Sequence, residues 1–574
     1  MESTHSLLPD CIIILSLHTT KIFWTSIDLG LQNIILAKQA YSGVKEDLGM
    51  LDTARVWASG ADWPGWQAYA LVSTAIFIIG LHLVDGLATT PEGKPRRRRK
   101  MSFNSECMLA TFPAEAKVVP PIINILLLFE DSCPAAETLA ALIKAKLLPY
   151  DRWRCGVAKS ASGAYDFVDL PAEHLEVPNL VAKHIFTCSV ASEAAMTQKV
   201  EELCATDIEG YEGDRPMWCI HRIEGKPGRL SGVLFRIHHV LGDGIALINS
   251  MSALFENKDG TPLDLKIAEQ MSGGKVKGAA KEKSSIGGMA AKLGDLVTSL
   301  FSVLYIALSP YDADTAFSPA GKPTLAMTSR PRKIVLIPTM RLSFIKKIKD
   351  AAKVTINDIL MAAMTGTIRK FCQLGKDDGT KPLQMRALVP VAFPRPVTDL
   401  TDSARAMRNK WAFASIPMPL SKSSARERLN ACVEASLTIK KSAIVGVQLL
   451  VQSYLLPLLP PFLQKKTAHD VFSRHTFVFS NLPGPATPCY LCQQRLVGLQ
   501  AIFPNMIPQV ILISYGGEVF FNMTVDPGVV TDTELFKKMY VDEMKGLAEE
   551  FGVKAEDADI LSPLSPEKVF GVIA

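Results

Sequence analysis

A surplus of charge is what this sequence most clearly lacks. Its 62 lysines and arginines face 57 aspartates and glutamates, a formal +5. One short run supplies much of that excess, so the footprint of a nucleic-acid binder is absent. Cysteine is sparse and scattered. There are 11, an odd number, and the single close pair, Cys489 and Cys492, has no second pair at zinc-site spacing. Neither structural disulfides nor a metal site is expected, and the thiols read as reduced and facing the cytosol. No short-period repeat appears. Wholesale disorder is excluded as well, because 48% of the residues are apolar and can bury sizeable cores. At 574 residues the chain is too long for one ordinary core, so two similar lobes with extra segments are the natural arrangement.

Residues 65–84 contain no Asp, Glu, Lys or Arg, about the 20 residues that a helix needs to cross a hydrocarbon core. Trp63, Trp66 and Tyr69 lie at one end, where amphipathic rings prefer the interface. Beyond the other end come Lys94, Arg96, Arg97, Arg98, Arg99 and Lys100. Together these predict a transmembrane helix over about 65–87 with a basic stop at 94–100, leaving everything after Lys100 in the cytosol. A buried core helix followed by a localisation signal is the alternative. An earlier apolar patch, residues 11–17 with 22–24 and 34–36 behind it, is interrupted by Lys21 and Asp28 and suits an interfacial or re-entrant segment as well as a span. It lacks the positive n-region of a signal peptide, since Glu2 and Asp10 ahead of it are acidic. One crossing or two stays open.

After residue 102, strand-like and helix-like segments alternate. Strands are expected at 122–129, 181–190 and 230–239, and helices at 134–148 and 192–204. Residues 258–292, rich in Gly, Lys, Ala and Ser, read as a linker. Residues 293–308, apolar nearly all round, suit a buried or a membrane-resting helix. A second series follows, with strands at 333–337, 385–391, 475–480, 510–514 and 518–525 and helices at 355–372 and 424–440. Thr531 with Glu534 reads as a capping box opening a last helix to about 551. Three prolines keep residues 449–463 from being a regular span, so a lip dipping into a bilayer, an acyl-tunnel lining or a broken core segment all fit. The resulting divisions are an anchor region at 1–102, lobes at 103–257 and 331–574, and a linker at 258–330.

The string that carries chemistry is IHHVLGDG, residues 237–244. Val233, Phe235 and Ile237 alternate with Leu234 and Arg236 as in a strand, and His239 continues the apolar series toward the interior. Gly242 and Gly244 permit a tight turn before a helix at 245–255. A histidine at a strand end between two lobes is well placed as a general base, because neutral imidazole, with an ordinary pKa of about 6.5, accepts a hydroxyl proton at cellular pH. The competing reading is a packed histidine pair, with Asp243 merely capping the next helix.

The string matches the HHxxxDG signature of the coenzyme A-dependent acyltransferase superfamily, which includes chloramphenicol acetyltransferase-like enzymes and peptide-synthetase condensation domains. Other blocks narrow the likeness. Arg215-Pro216-Met217-Trp218 is a variant of a Pro-Leu-Trp block, and Asn357-Asp358 matches an Asn-Asp motif at a helix start. Residues 480–485, SNLPGP, resemble an SNVPGP block, and Ser514-Tyr515-Gly516-Gly517 with Asp526 resembles the final strands. From about residue 103 to the end the chain thus resembles the wax ester synthase/diacylglycerol acyltransferase family. Met217 departs from the usual leucine. Residues 389–396 and Asn409-Lys410-Trp411 match only loosely, so no role is carried onto them.

The resemblance implies a mixed α/β, two-lobed chloramphenicol acetyltransferase-like fold, here with the N-terminal transmembrane helix, and a solvent channel between the lobes. It implies an O-acyltransferase that moves a fatty acyl group from acyl-coenzyme A to a long-chain alcohol or diacylglycerol, giving wax esters, triacylglycerol or both. His239 would be the general base, with His238 and Asp243 in supporting positions and Gly244, Asn357, Ser480 and Asn481 toward substrate. Asn357, opening a helix, has an N-cap role as its plain alternative. No cofactor or metal is implied beyond acyl-coenzyme A as co-substrate, and membrane lipid is the expected surroundings. The expected location is the endoplasmic reticulum membrane with a cytosolic catalytic unit, with lipid droplets or a plastid-associated membrane as alternatives. Two other readings remain: a related acyltransferase with another alcohol or an amine as acceptor, and a non-catalytic membrane or lipid-droplet scaffold.

Overall fold

The run IINILLLF is uncharged and apolar on both of its alternating sides, which suits a strand covered on both faces. A computed structural model of the protein has it as strand Ile122–Phe129, with Leu126, Leu127, Leu128 and Phe129 all at most 4% exposed. The structure describes residues 98–110, 121–159, 165–208, 216–263, 286–306, 308–319, 332–375, 384–393, 395–459, 461–556 and 560–561. The expected span at 65–87 and the apolar patch before it lie outside the described residues.

Two six-stranded mixed sheets organise the fold. The first runs, edge to edge, Tyr490–Leu491, Gln494–Ile502, Ile122–Phe129, Ser231–His238, Trp218–Glu224 and Ile185–Ser189. The second runs Trp411–Pro417, Arg386–Ala392, Phe477–Leu482, Gln509–Tyr515, Glu518–Val525 and Lys333–Arg341. Helices Ile356–Leu374, Ala425–Lys441 and Thr533–Glu550 bury their apolar faces on the second sheet's core. Helix Ile356–Leu374 buries Ile359, Leu360, Met361, Met364 and Ile368, each contributing about 1.5–3 kcal/mol by leaving water.

The division at residue 331 is not a clean cut, because Gln494–Ile502, from the second half of the chain, pairs antiparallel with Ile122–Phe129 of the first lobe. Buried Asn124 ties the crossing in place by donating to the Ile502 carbonyl at 3.3 Å. On its other side the crossing strand meets the second sheet, where buried Asn522 donates to Gln500 at 2.9 Å and to the Ala501 carbonyl at 2.7 Å. The far end of the expected linker is also embedded in the second lobe, since Asp312 pairs with Arg386 at 2.7 Å.

Most expected elements form within a few residues of their reading, and the exceptions have local causes. Residues 181–190 are not one strand. Helix Val177–His184, with proline in its first turn, buries Leu180 and His184 before strand Ile185–Ser189 begins. Asp532, not Thr531, caps the last helix by accepting from the Leu535 amide at 2.9 Å, as suits one of the strongest N-cap residues. Within the basic run, Arg98–Lys100 forms an edge strand against Tyr165–Asp169. There the Arg99 guanidinium clamps Asp169 through two nitrogens, at 2.7 and 3.1 Å, and reaches Asp151 at 3.1 Å. These charges belong to the catalytic unit as much as to any membrane flank.

Candidate active site

His239 follows strand Ser231–His238, where chain direction changes before helix Gly244–Ser252. Its backbone amide donates to the Pro121 carbonyl at 2.8 Å, fixing the turn on the neighbouring strand. Its ring is only partly covered, whereas His238 is 2% exposed. The two histidines therefore differ in what they can do. Nδ1 of His238 accepts the Val240 amide at 3.2 Å, and burial, with His239 alongside, pushes its pKa down to about 3. His238 is a neutral structural acceptor within the turn.

Asn409 settles the state of His239. Its Nδ2 donates to the His239 carbonyl at 2.8 Å, the Val240 carbonyl at 3.1 Å and Ser105 Oγ at 3.1 Å. The amide oxygen must then face the other way, and it lies 3.2 Å from Nδ1 of His239. An amide oxygen only accepts, so Nδ1 carries the proton and Nε2 holds the basic lone pair. Among the described residues Nε2 has no hydrogen-bond partner. The ring packs edge-on to Phe503, centroids 5.6 Å apart, and Phe503 directly follows the crossing strand. Burial lowers the His239 pKa below its ordinary value, against the hydrogen bonds to its ring and the charge of Asp243, which raise it.

Asp243 does not face open space. It caps the next helix, Oδ1 accepting from the Ala246 amide at 3.0 Å, while Oδ2 accepts from the Lys410 amide at 2.7 Å and pairs with Arg395. Both partners in that ion pair are nearly buried, and both Arg395 and Lys410 come from the second half of the chain. Arg152 closes the turn from beneath, donating to the carbonyls of Val240 and Leu241 at 3.0 and 3.2 Å and to Ser105 at 3.2 Å. Burial, and then the nearby Arg408, pulls its pKa down to about 9. Met217 and Trp218 support the strand from outside: the His238 amide donates to the Met217 carbonyl at 2.9 Å, and the Trp218 indole donates to the Trp153 carbonyl at 2.8 Å.

The second lobe reaches the same turn. A Cβ at Gly244 would stand 3.1 Å from Leu482, so helix Gly244–Ser252 starts against the SNLPGP segment. Next to Leu482, exposed Asn481 donates to exposed Asn357 at 2.5 Å, and Ser480 is half-buried on the same strand. Asn357 is not the N-cap. Thr355 is, in a capping box with Asp358, which frees the Asn357 side chain for its partner on the neighbouring strand. The structure therefore joins Asp243 and Gly244 directly to the second lobe and pairs Asn357 with Asn481 beside that contact. Sequence reading missed Asn409, Arg395, Arg152 and Ser105. The local signs were the block at 389–396, which holds Arg395, and the Asn409-Lys410-Trp411 block, both too loosely matched to carry a role.

Residues 183–360 match the model of the wax ester synthase/diacylglycerol acyltransferase catalytic domain, and residues 407–548 match that of the WS/DGAT C-terminal domain. A Mycobacterium tuberculosis protein that bears the name diacylglycerol O-acyltransferase is 24% identical over 416 residues, covering 67% of this chain and 79% of that protein. Another so named in that species is 23% identical over 432 residues, covering 71% and 87%. Among solved structures, the wax ester synthase/diacylglycerol acyltransferase of Marinobacter aquaeolei superposes with a TM-score of 0.51 at 17% identity, over 79% of this chain and 100% of that one. The trichothecene 15-O-acetyltransferase of Fusarium sporotrichioides gives 0.52 at 11%, over 80% and 96%. These two likenesses confirm the two-lobed mixed α/β fold. With both halves of its catalytic unit matched, the chain belongs to the wax ester synthase/diacylglycerol acyltransferase family and is an acyltransferase of that family.

Proposed function

We propose that the protein transfers a fatty acyl group from acyl-coenzyme A to the hydroxyl of a lipid, a long-chain alcohol or diacylglycerol, with Nε2 of His239 as the base. The single observation behind this reading is the Asn409 amide, whose fixed orientation leaves Nε2 deprotonated and, among the described residues, without a partner. In the proposed step Nε2 takes the acceptor's hydroxyl proton as its oxygen attacks the thioester carbonyl. The tetrahedral adduct collapses, the carbon–sulfur bond breaks, and the thiolate of coenzyme A takes the proton back from the imidazolium. Depressing the pKa of His239 keeps the ring neutral before attack and makes the imidazolium a ready proton donor afterwards. Asp243 and Arg395 then hold the turn rather than touch substrate. Gly244, Asn357, Ser480 and Asn481 are assigned to the substrate side because Leu482 sits against the start of the helix that follows His239 and the Asn357–Asn481 pair adjoins Leu482 in the chain.

The location proposed is the endoplasmic reticulum membrane with the catalytic unit in the cytosol, supported by the uncharged stretch at 65–84 and the basic residues after it. To test the chemistry, membranes from cells without neutral-lipid synthesis would carry wild type or His239→Ala and receive labelled palmitoyl-coenzyme A with hexadecanol or diacylglycerol. Ester formed by wild type and lost in an equally abundant variant is the expected result, and the better acceptor identifies the physiological class. Equal ester from the variant would remove His239 from the mechanism. No ester with either lipid would leave the family standing and overturn the acceptor assignment.

A further inference from the structure

We propose that the face built from helix Gly294–Ile306 and residues 444–458 is the surface on which this enzyme sits on an anionic phospholipid layer. The proposal deepens the lipid-acceptor reading and rests on it for its purpose, while its geometry stands apart. Helix Gly294–Ile306 meets the bent segment Ile444–Leu458 through the buried trio Val303, Val447 and Val451. Outside that seam the two segments leave large apolar side chains in the open: Phe301 is 68% exposed, Leu308 72%, Tyr305 57% and Leu450 52%, with Leu455 and Leu458 beside them. A folded protein scatters such residues singly, and a contiguous group marks a covered surface.

The chemistry of the face selects the cover. Residues 296–311 contain no charged side chain, and neither do residues 442–463. The hydroxyls of Thr298 and Ser302 are spent inside their own helix, on the Gly294 carbonyl at 2.9 Å and the Thr298 carbonyl at 2.8 Å. They offer little of the directed hydrogen bonding that protein interfaces carry. The charges that bracket the second stretch are basic: Lys440 and Lys441 before it, Lys465 and Lys466 after it. Lys440 and Lys441 are exposed and close the preceding helix, while exposed Lys466 is paired with Asp470. An apolar face edged by lysines complements acyl chains beneath anionic headgroups. The helix itself runs Ile286–Ile306, but Lys292 and Asp295 interrupt its first half, and the apolar part, Gly294–Ile306, reaches about 20 Å against a hydrocarbon core of about 30 Å.

The inner side of the same segment faces the catalytic network. Residues Val451–Leu455 form a π-helical turn, a rare geometry often found at functional sites. From it buried Gln452 accepts from Asn104 at 3.5 Å, and Asn104 also reaches the Asn409 carbonyl at 3.4 Å. Gln448 accepts from the Phe413 amide at 2.7 Å. One short segment thus has Leu450 and Leu455 outside and Gln452 linked, through Asn104, to the residue that orients His239.

Hydrogen exchange on the full chain tests this, with vesicles of phosphatidylcholine alone or mixed with phosphatidylserine. Amides of both segments should slow together as mixed vesicles are added, and Phe301→Asp with Leu450→Asp should abolish the slowing. Lys440→Gln with Lys441→Gln should raise the mixed lipid needed by roughly fivefold per lysine and leave the neutral-lipid curve unmoved. Slowing that rises with protein concentration without lipid would make the face a contact between two copies. Protection already complete in dilute lipid-free protein would make it the seat of another part of this chain. Either result, or no slowing with vesicles, overturns the proposal. Acyl transfer is not part of the readout: an active enzyme without protection sinks the docking face alone, and a protected but inactive one sinks the chemistry alone.

Discussion

The side-chain oxygen of Asn409 lies 3.2 Å from Nδ1 of His239, and the same amide's nitrogen binds the His239 carbonyl at 2.8 Å. One residue of the second lobe therefore holds both the ring and the backbone of a residue of the first, so a single side chain sets the tautomer and adds one of several ties between the lobes.

Replacing Asn409 with alanine should lower kcat by about 10–100-fold, part of the range that a positioned base supplies, with a smaller change in KM. The lost hydrogen bond raises the ring's pKa in the native enzyme, so the acid limb of the kcat/KM profile should move to lower pH in the variant. In wild type that limb should fall below about pH 6.5, because burial lowers the pKa from its ordinary value, and activity should be level above it. A drop in kcat without movement of the limb would make Asn409 a packing residue only.

Asp243→Ala should cost about 3–5 kcal/mol of stability, since it strands the buried Arg395 without a counter-charge. Unfolding of the full chain in urea reads this directly. Adding Arg395→Met should recover a large part of the loss. A cost below about 1 kcal/mol would show that the pair does not hold the turn.

Acid should destabilise the fold through its buried histidines. The folded-state pKa of His238 is pushed down to about 3 and that of His475 to about 4, burial being the main cause of each. Unfolded, both rings titrate at about 6.5, so between that pH and about 4 the unfolded chain binds more protons. Stability is complete above 6.5 and falls as pH drops, with a slope of up to about 1.4 kcal/mol per pH unit for each ring. Urea midpoints measured from pH 7 to 4.5 should fall continuously; a flat curve would mean that these rings are not neutral in the fold.

Gly484→Ala should weaken the second lobe. A Cβ there would lie 2.2 Å from the Ser514 carbonyl oxygen, so the SNLPGP segment and strand Gln509–Tyr515 would have to part. A loss of about 1–3 kcal/mol is expected, with KM for the acceptor raised. Gly516→Ala is the control for position, because nothing crowds that site, although its φ of +58° carries its own smaller cost.

The histidine turn was legible because its signals are local: a two-residue period, two glycines and an Asp that can cap, all within residues 233–244. Strands on both sheets showed themselves for the same reason. Asn409, Arg395 and Ser105 did not, because an asparagine in a loop looks the same whether or not a ring nitrogen from the other lobe ends up beside it. The N-cap alternative for Asn357 could not be dismissed from the sequence for lack of one further fact, that Thr355 and Asp358 satisfy each other. Strand Gln494–Ile502 shows the limit most clearly. Its partner, Ile122–Phe129, is a choice among all open strand edges, and no local period expresses that choice.

That strand also sets the order in which the molecule can be born. A ribosome delivers residues 122–129 long before residues 494–502. Until then an apolar edge of the first sheet has no neighbour on one side, the kind of edge that recruits other chains. The edge stays open until residues 494–502 have been made. A chain cut between residues 417 and 494 would still carry the histidine turn with Arg395, Asn409 and Lys410, and yet never close the sheet that bears it.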